Sequence, residues 1–202
     1  MHVLPAIYAA HAAFWLLFAA GDLAARLRAR RTPAGPAPHR DANERAPMQA
    51  PHAGLLIAVH MVAFALMYMG IGRAVFGRAT PATPFVVRAT GALLIVAGGA
   101  LAAWARLAFA SWRFRARLDA GHRLATGGPF RFVRHPIYAA LDLLALGTTL
   151  WVPTPLTILA AVTMVLGGEL RARGEEPLLE RAFGDEYLAY RRRTRRFVPG
   201  LY

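Results

Sequence analysis

The side chains best suited to chemistry lie where polar sequence gives way to apolar sequence. Residues 134–138, Arg-His-Pro-Ile-Tyr, place a guanidinium, an imidazole and a phenol at the start of an apolar segment. Ionisable groups at such a position are costly in lipid, which makes them functional candidates. Arginines that extend toward the interface and a histidine at a helix end would explain the same residues without any function. Asp142 follows Tyr138 by four residues, so on a helix it could reach Tyr138, a bound cation or a neighbouring helix.

A second polar stretch, residues 171–190, follows the same apolar segment. Arg171 and Glu175 are four residues apart and can pair on a helix. Judged alone, Glu175 and Glu176 would be solvated surface carboxylates of little energetic weight. If the apolar segment folds back on itself, however, the two polar stretches meet. We therefore predict a site at a membrane surface.

Other residue types limit the chemistry. The sequence has no cysteine, which excludes disulfides, thiolate zinc sites and a cysteine nucleophile. The remaining histidines have no metal-ligand spacing and no HExxH motif occurs, so we predict no metal. Gly127-Gly128 lacks the strand and helix that flank a nucleotide-binding glycine loop, which favours a turn.

The composition indicates a membrane protein. Hydrophobic residues make up 56% of the chain and the mean hydropathy is +0.36, above the values of ordinary soluble domains. The formal net charge is +13, and all 24 basic residues are arginines separated by long apolar runs. This spacing favours anionic lipid headgroups at the arginine-rich loops as partners, and no nucleic acid. The first apolar segment has no basic region before it, which predicts a retained span and not a cleaved signal peptide.

The apolar runs predict an all-α, polytopic integral membrane protein. Within residues 1–110, three runs each have the roughly 20 residues that cross a bilayer core. They are residues 3–23, 53–71 and 85–107. The arginine- and proline-rich stretch 26–51 is predicted to be a polar loop. Gly91, Gly98 and Gly99 in the third run predict close helix packing.

The remaining part, residues 111–202, carries the polar stretches and ends in an amphipathic segment. Its apolar run, residues 137–168, is too long for one straight crossing of a ~30 Å core. Pro153 and Pro155 lie in the middle of this run and oppose a continuous helix. We therefore predict a proline-broken helical hairpin, for about five transmembrane helices in total.

The arginine distribution predicts the orientation. Residues 26–45 hold six arginines, residues 106–134 hold seven and residues 171–196 hold eight. If these three segments share the cytoplasmic face, the positive-inside rule is satisfied at each loop. The hairpin then places the N-terminus outside and the C-terminus inside, with the candidate site on the cytoplasmic face.

A set of short motifs carries a resemblance to a known family. The motifs are, in order, His122-Arg-Leu-Ala-Thr-Gly-Gly-Pro-Phe130, Arg134-His-Pro-Ile-Tyr138, Arg171-Ala-Arg-Gly-Glu-Glu176, Phe183-Gly-Asp-Glu-Tyr-Leu-Ala-Tyr190 and Arg196-Phe-Val-Pro199. Over residues 121–199, the chain resembles the C-terminal half of isoprenylcysteine carboxyl methyltransferases and their prokaryotic relatives.

The resemblance implies an integral-membrane methyltransferase that uses S-adenosyl-L-methionine in a cytoplasmic pocket, with residues 111–202 as the methyltransferase core. It implies that Arg171 faces the substrate. The implied cofactor-binding residues are His122, Arg123, Leu124, Ala125, Phe130, His135, Pro136, Ile137, Tyr138 and Glu175.

Methyl transfer suits these residue types, because the protein has chiefly to align donor and acceptor. An arginine binds a carboxylate through a planar two-point fork, so Arg134 and Arg171 are the candidate catalytic residues for a carboxylate acceptor. The expected substrate is lipophilic and reaches the site from the bilayer, as the carboxylate of a prenylated or isoprenoid-like molecule would. The alternatives are a phospholipid amine N-methyltransferase, an NADPH-dependent membrane reductase of the sterol type, and a non-enzymatic membrane scaffold.

Overall fold

The computed structural model describes residues 3–31, 48–49, 52–77, 83–109, 117–118 and 124–202. These residues form six α-helices, a short 3₁₀ helix and one pair of two-residue strands. The helices are α1 (Val3–Arg31), α2 (Ala53–Phe76), α3 (Phe85–Ala108), the 3₁₀ helix (Gly128–Arg131), α4 (Pro136–Trp151), α5 (Pro155–Phe183) and α6 (Asp185–Arg193). The strands, β1 (Met48–Gln49) and β2 (Arg117–Leu118), pair antiparallel.

Four of the helices are long and apolar enough to cross a membrane. They are the Ala6–Arg28 part of α1, then α2, α3 and α5, while α4 is a shorter apolar helix. Large apolar side chains such as Leu16, Leu55 and Leu93 are exposed on these helices, as expected of surfaces that face lipid. The prediction of a polytopic all-α membrane protein is confirmed.

The predicted hairpin is formed by α4 and α5. Its turn is short because Thr154 and Thr157 cap α5 reciprocally: the Thr157 amide donates to Thr154 Oγ1 at 3.2 Å, and the Thr154 amide donates to Thr157 Oγ1 at 3.0 Å. Pro155 occupies the first turn of α5, where its missing N–H costs nothing. The expectation that the second arm ends near residue 168 is wrong, because α5 continues to Phe183. The polar residues after 171 therefore belong to the same helix as the apolar arm.

Glycines allow α3 and α4 to pack closely, as the sequence predicts. A Cβ on Gly91 would lie 2.5 Å from the Gly147 carbonyl oxygen, and a Cβ on Gly147 would lie 2.5 Å from the Gly91 carbonyl oxygen. Gly98 and Gly99 likewise lie against Ala140 and Phe14. Such contacts between small residues replace the hydrophobic driving force that is missing between helices in lipid.

The C-terminal halves of α1 and α3 lie at the same end of the bundle as the start of α4. There Asp22 of α1 accepts a hydrogen bond from the buried Arg106 of α3. The pairing of β1 with β2 joins the segments that follow α1 and α3. At the opposite end, the Thr83 hydroxyl donates to the Trp151 carbonyl at 3.2 Å. The polar stretches before α4 and after residue 171 are thereby brought to one end of the bundle.

Candidate active site

The loop before α4 is fixed from two sides. Gly128 adopts a positive φ of 58° and lies against Trp104 and Ala108 of α3, a position where a side chain would be strained. The 3₁₀ helix that begins at Gly128 inserts Phe130 into a buried cluster with Ala105 and Ile137. The aromatic ring thus anchors the loop to the bundle immediately ahead of Arg134 and His135.

The segment after α6 supports the other side of this loop. The Arg134 amide donates to the Arg195 carbonyl at 2.7 Å, and the His135 amide donates to the Arg196 carbonyl at 3.1 Å. These bonds continue a parallel bridge between Val133 and Arg195. Residues far apart in the sequence therefore hold the loop in one conformation.

Helix α6 contributes two buried tyrosines beneath the loop. The Tyr190 hydroxyl donates to the Phe130 carbonyl at 2.7 Å, and the fully buried Tyr187 packs beside it. Burial raises the pKa of both phenols, and the nearby Glu176 carboxylate raises the pKa of Tyr187 further. Both tyrosines therefore remain protonated, as the Tyr190 hydrogen bond requires.

Glu176 is the centre of a buried ion cluster. Arg196 donates to both of its carboxylate oxygens, at 3.0 and 2.8 Å, and Arg134 Nε donates to Oε1 at 3.0 Å. The Arg134 Nη1 also donates to the Thr194 carbonyl at 2.7 Å. Its hydrogen bonds to Glu176 raise the pKa of Arg196, so the cluster keeps two cations around one carboxylate. It joins α5, the loop before α4 and the segment after α6.

Beside this cluster lies a second, more accessible carboxylate. Tyr138 donates a hydrogen bond to Glu175 Oε1, and Arg171 Nη2 is 3.8 Å from the same oxygen. The Arg171 guanidinium also lies over the Tyr138 ring, 5.0 Å from its centre. The Glu175 side chain is 20% exposed, against 6% for Glu176. Glu175 is therefore the carboxylate that a ligand can reach.

His135 links the two carboxylates. Its ring stacks on Tyr138 with an interplanar angle of 7° and a centre-to-centre distance of 5.6 Å. Nδ1 lies 3.7 Å from Glu175 Oε2 and Nε2 lies 3.5 Å from Glu176 Oε1. These distances are too long for strong hydrogen bonds, so the buried imidazole keeps the capacity to bind a ligand.

The membrane side of the site is formed by His60 and Asp142. The His60 ring centre is 5.9 Å from that of Tyr138. Asp142 lies one turn beyond Tyr138 on α4, near Gly168 of α5. The site thus extends from the ion cluster into the apolar part of the bundle.

The structure brings together five of the residues predicted for the site: Arg134, His135, Tyr138, Arg171 and Glu175. Phe130 and Ile137 are buried behind them in the apolar cluster, and Ala125 packs against that cluster. Leu124 packs against the tyrosines of α6, and Pro136 forms the first turn of α4. His122 and Arg123 lie outside the described residues, and the cofactor roles of all these residues stay predictions.

Sequence reasoning missed Glu176, Arg196, Tyr190 and His60. Glu176 was grouped with Glu175 as a surface carboxylate, although its side chain is buried and paired with two arginines. Arg196 stands at the start of the last family-like motif, which was the only signal for it. His60 lies in an apolar helix with no motif, so nothing in the sequence separates it from a packing residue.

The described residues form four helices that are long enough to cross a membrane, with a polar site at one end of the bundle. This combination defines an integral membrane protein whose site lies at the edge of its apolar region. The sequence profile of the phospholipid methyltransferase family matches residues 86–186, half of the chain. The protein belongs to this family, which is part of the isoprenylcysteine methyltransferase-like group of integral-membrane methyltransferases, and S-adenosyl-L-methionine is the family's general methyl donor. The predicted resemblance is thereby confirmed. No curated protein matches the chain. The match includes Arg134, Tyr138, Arg171 and Glu175, but neither His60 nor Arg196.

Proposed function

We propose that the protein transfers a methyl group from S-adenosyl-L-methionine to a lipophilic acceptor that reaches the site from the bilayer. The observation that carries this proposal is the cluster of Tyr138, Arg171 and Glu175. It lies where the apolar helices α4 and α5 meet the polar Glu176 cluster. A water-soluble donor and a lipid-soluble acceptor can meet at such a boundary.

The residues present fit the methyl donor. Its amino acid part carries an ammonium group and its ribose carries hydroxyls, and both need acceptors of hydrogen bonds. Glu175 is reachable, while Glu176 is already held by Arg134 and Arg196. The stacked rings of His135 and Tyr138 add an aromatic surface toward which a cation is attracted. When bound, the donor supplies an electrophilic methyl group on a sulfonium.

The protein's own contribution is alignment and the exclusion of water. Correct placement of two reactants can supply ~7 to 11 kcal/mol of the barrier. Arg171 is buried and is fixed by its contacts with Tyr138 and Glu175, so it can orient the polar end of an acceptor. Arg134 is bound to Glu176 and to the Thr194 carbonyl. We therefore assign it to holding the loop, and Arg171 to the acceptor.

Two classes of acceptor suit this arrangement. A prenylated carboxylate would bind the Arg171 guanidinium through a bidentate contact. A phospholipid amine agrees with the description of the family whose profile matches the chain, and with the carboxylic residues Glu175 and Asp142 on either side of Tyr138. Both acceptors carry apolar chains that the exposed faces of the helices would accommodate.

The proposed orientation places the site on the cytoplasmic side, with the N-terminus outside and the C-terminus inside. The arginine-rich segments then face anionic lipid headgroups, which attract basic residues near the membrane surface. This arrangement is supported by the fold, because the C-terminal ends of α1 and α3 lie at the same end of the bundle as the start of α4.

Calorimetry in detergent tests the proposed function. We expect the purified protein to bind S-adenosyl-L-methionine and its demethylated product, and not NADPH. Binding of NADPH alone would refute the proposal in favour of a reductase. The transfer itself is tested by incubating membranes with a labelled methyl donor and identifying the labelled lipid. If no lipid is labelled, methyl transfer to a lipophilic acceptor is refuted.

A further inference from the structure

His60 is a buried histidine at the candidate site, contributed by a helix outside the part of the chain that the family profile matches. It lies on α2 and is 1% exposed. Its ring packs against Gly167 of α5, where a Cβ would lie 3.0 Å from its Cε1, and against Tyr138 of α4. Because Gly167 has no side chain, the imidazole can pack between these helices.

The hydrogen bonding of His60 fixes which nitrogen carries the proton. Nδ1 lies 3.0 Å from the Leu56 carbonyl oxygen. A carbonyl oxygen can only accept, so Nδ1 is the donor. In the neutral ring, Nε2 then presents a lone pair. Among the described residues, this buried Nε2 has no hydrogen-bond partner, and buried polar atoms without partners are uncommon and call for an explanation.

His11 provides an internal comparison. It is also buried in the bundle, at 3% exposure, but both of its ring nitrogens have partners. Nε2 lies 2.9 Å from Thr148 Oγ1 and Nδ1 lies 3.3 Å from the Tyr68 hydroxyl. His11 thus has a sufficient structural role in joining three helices. The Nε2 atom of His60 has no such role, and the His60 ring lies beside Tyr138.

We propose, on the basis of the proposed function, that His60 Nε2 binds the polar end of the methyl acceptor and accepts its proton. A carboxylate acceptor is already ionised at neutral pH and has no proton to give, and its oxygens would face a lone pair. An amine acceptor is an ammonium until it loses a proton. The acceptor that matches His60 is therefore a lipid with an amine headgroup.

The proton and electrons balance in this step. One N–H bond of the ammonium breaks and its proton moves to Nε2, which leaves the electron pair on the amine nitrogen. That pair forms the new N–C bond as the C–S bond of the donor breaks, with its electrons retained by sulfur. The proton then leaves His60 for water. Among the described residues, the titratable and charged groups near His60 are Tyr138 and Asp142 on α4 and Arg171 and Glu175 on α5. The Arg171 cation favours the uncharged forms of both the amine and the His60 ring, which helps the proton to pass on to water.

The test uses the intact protein in detergent micelles that contain either a phospholipid with a primary amine headgroup or a prenylated thioether carboxylate. His60→Gln keeps a hydrogen-bonding side chain but cannot take up the proton. General base catalysis contributes typically ~100- to 10,000-fold, so we expect turnover with the amine lipid to fall at least about 100-fold. His11→Gln is the matched control, because it makes the same change at an equally buried histidine away from the site.

Three further readouts separate a catalytic role from a structural one. Calorimetric affinity for S-adenosyl-L-methionine should be unchanged in His60→Gln, since Nε2 serves the acceptor. The wild-type rate should rise with pH through an acid limb that is absent from the variant. The wild-type preference for the amine lipid over the carboxylate lipid can be measured even if the variant does not fold.

The outcomes distinguish this proposal from the proposed function. A wild type that methylates only the carboxylate lipid overturns the role of His60 and leaves the proposed function standing. A wild type that binds S-adenosyl-L-methionine but methylates neither lipid overturns the role of His60 and leaves only the binding of the methyl donor. A folded His60→Gln variant with no greater loss of turnover than His11→Gln overturns it as well. A wild type that does not bind the methyl donor refutes the proposed function itself.

Discussion

Replacing Glu176 with glutamine should destabilise the end of the bundle that holds the candidate site. The substitution keeps the shape of the side chain and removes its charge. Arg134 would then lose its carboxylate partner in a buried position, and Arg196 would keep only Glu169, whose Oε1 lies 2.8 Å from Arg196 Nη1. The side chains of Arg134 and Arg196 are only 9% and 16% exposed, so water can compensate little of the lost interaction.

The magnitude follows from this burial. Removing one partner of a buried ion pair costs about 3 to 5 kcal/mol, because the other charge stays buried. For a chain of about 150 to 250 residues, each kcal/mol shifts the melting temperature by roughly 2 to 4 °C. We therefore expect Glu176→Gln to lower the melting temperature in detergent by about 6 to 20 °C.

Glu180→Gln is a matched control on the same helix. Glu180 lies 3.6 Å from Arg191, but both side chains are about half exposed, at 46% and 48%. A solvent-exposed pair contributes only about 0 to 1 kcal/mol, so this variant should melt close to the wild type. A double variant, Glu176→Gln with Arg196→Met, should lose less stability than the two single losses added together, because it leaves one fewer unpaired charge.

Thermal unfolding followed by circular dichroism would measure all five proteins: the wild type, the three single variants Glu176→Gln, Glu180→Gln and Arg196→Met, and the double variant. Equal destabilisation by Glu176→Gln and Glu180→Gln would refute the reasoning. It would show that burial does not increase the contribution of the Glu176 ion pairs to stability. A Glu176→Gln variant with wild-type stability would refute it as well.

Three further predictions concern the site, the helix packing and the orientation. Glu175→Gln should weaken binding of S-adenosyl-L-methionine about 10- to 150-fold through loss of a charge-assisted hydrogen bond. Arg171→Lys should keep this affinity, and it should lower turnover only with an acceptor that presents an anionic group, because lysine keeps the charge and loses the bidentate contact. Equal losses of affinity in calorimetry would contradict this division of roles. Gly147→Ala should lower the free energy of unfolding by about 1 to 3 kcal/mol through overpacking. Gly72→Ala should leave it unchanged, because a Cβ there meets nothing within 4 Å among the described residues. Similar unfolding curves for the two variants would count against close packing of α3 on α4. A cysteine introduced at Gly200 should react with membrane-impermeant reagents only from the cytoplasmic side. The absence of native cysteines makes this labelling specific. Labelling from outside would refute the proposed orientation.

The sequence predicts the membrane fold well because the signals for it are local. Apolar length defines the spans, and Pro153 and Pro155 mark the break between α4 and α5. The end of α5 was misplaced because the arginines and glutamates after residue 168 resemble a loop by composition. In the structure, these residues continue the helix. Arg134 and Arg196 pair with Glu176 from outside it, and Arg171 and Arg173 lie one turn from Glu175 and Glu169 within it.

The site was only partly predictable, because its partners are distant in sequence. Tyr138 and Glu175 could be named from motifs, but their hydrogen bond depends on how α4 folds against α5. Arg196 reaches Glu176 only because the segment after α6 pairs with the loop before α4. His60 reaches Tyr138 across the packing of α2 on α5, and no periodicity or spacing in the sequence encodes that contact.

The pairing of residues 195 and 196 with the loop before α4 also bears on how the protein is made. Helices α1 to α5 are complete by residue 183, before the segment that holds Arg196 is made. The Glu176 cluster must wait for Arg196, which supplies two of its hydrogen bonds. A chain whose helices have formed is therefore still without a finished site. The docking of this last segment completes the candidate site.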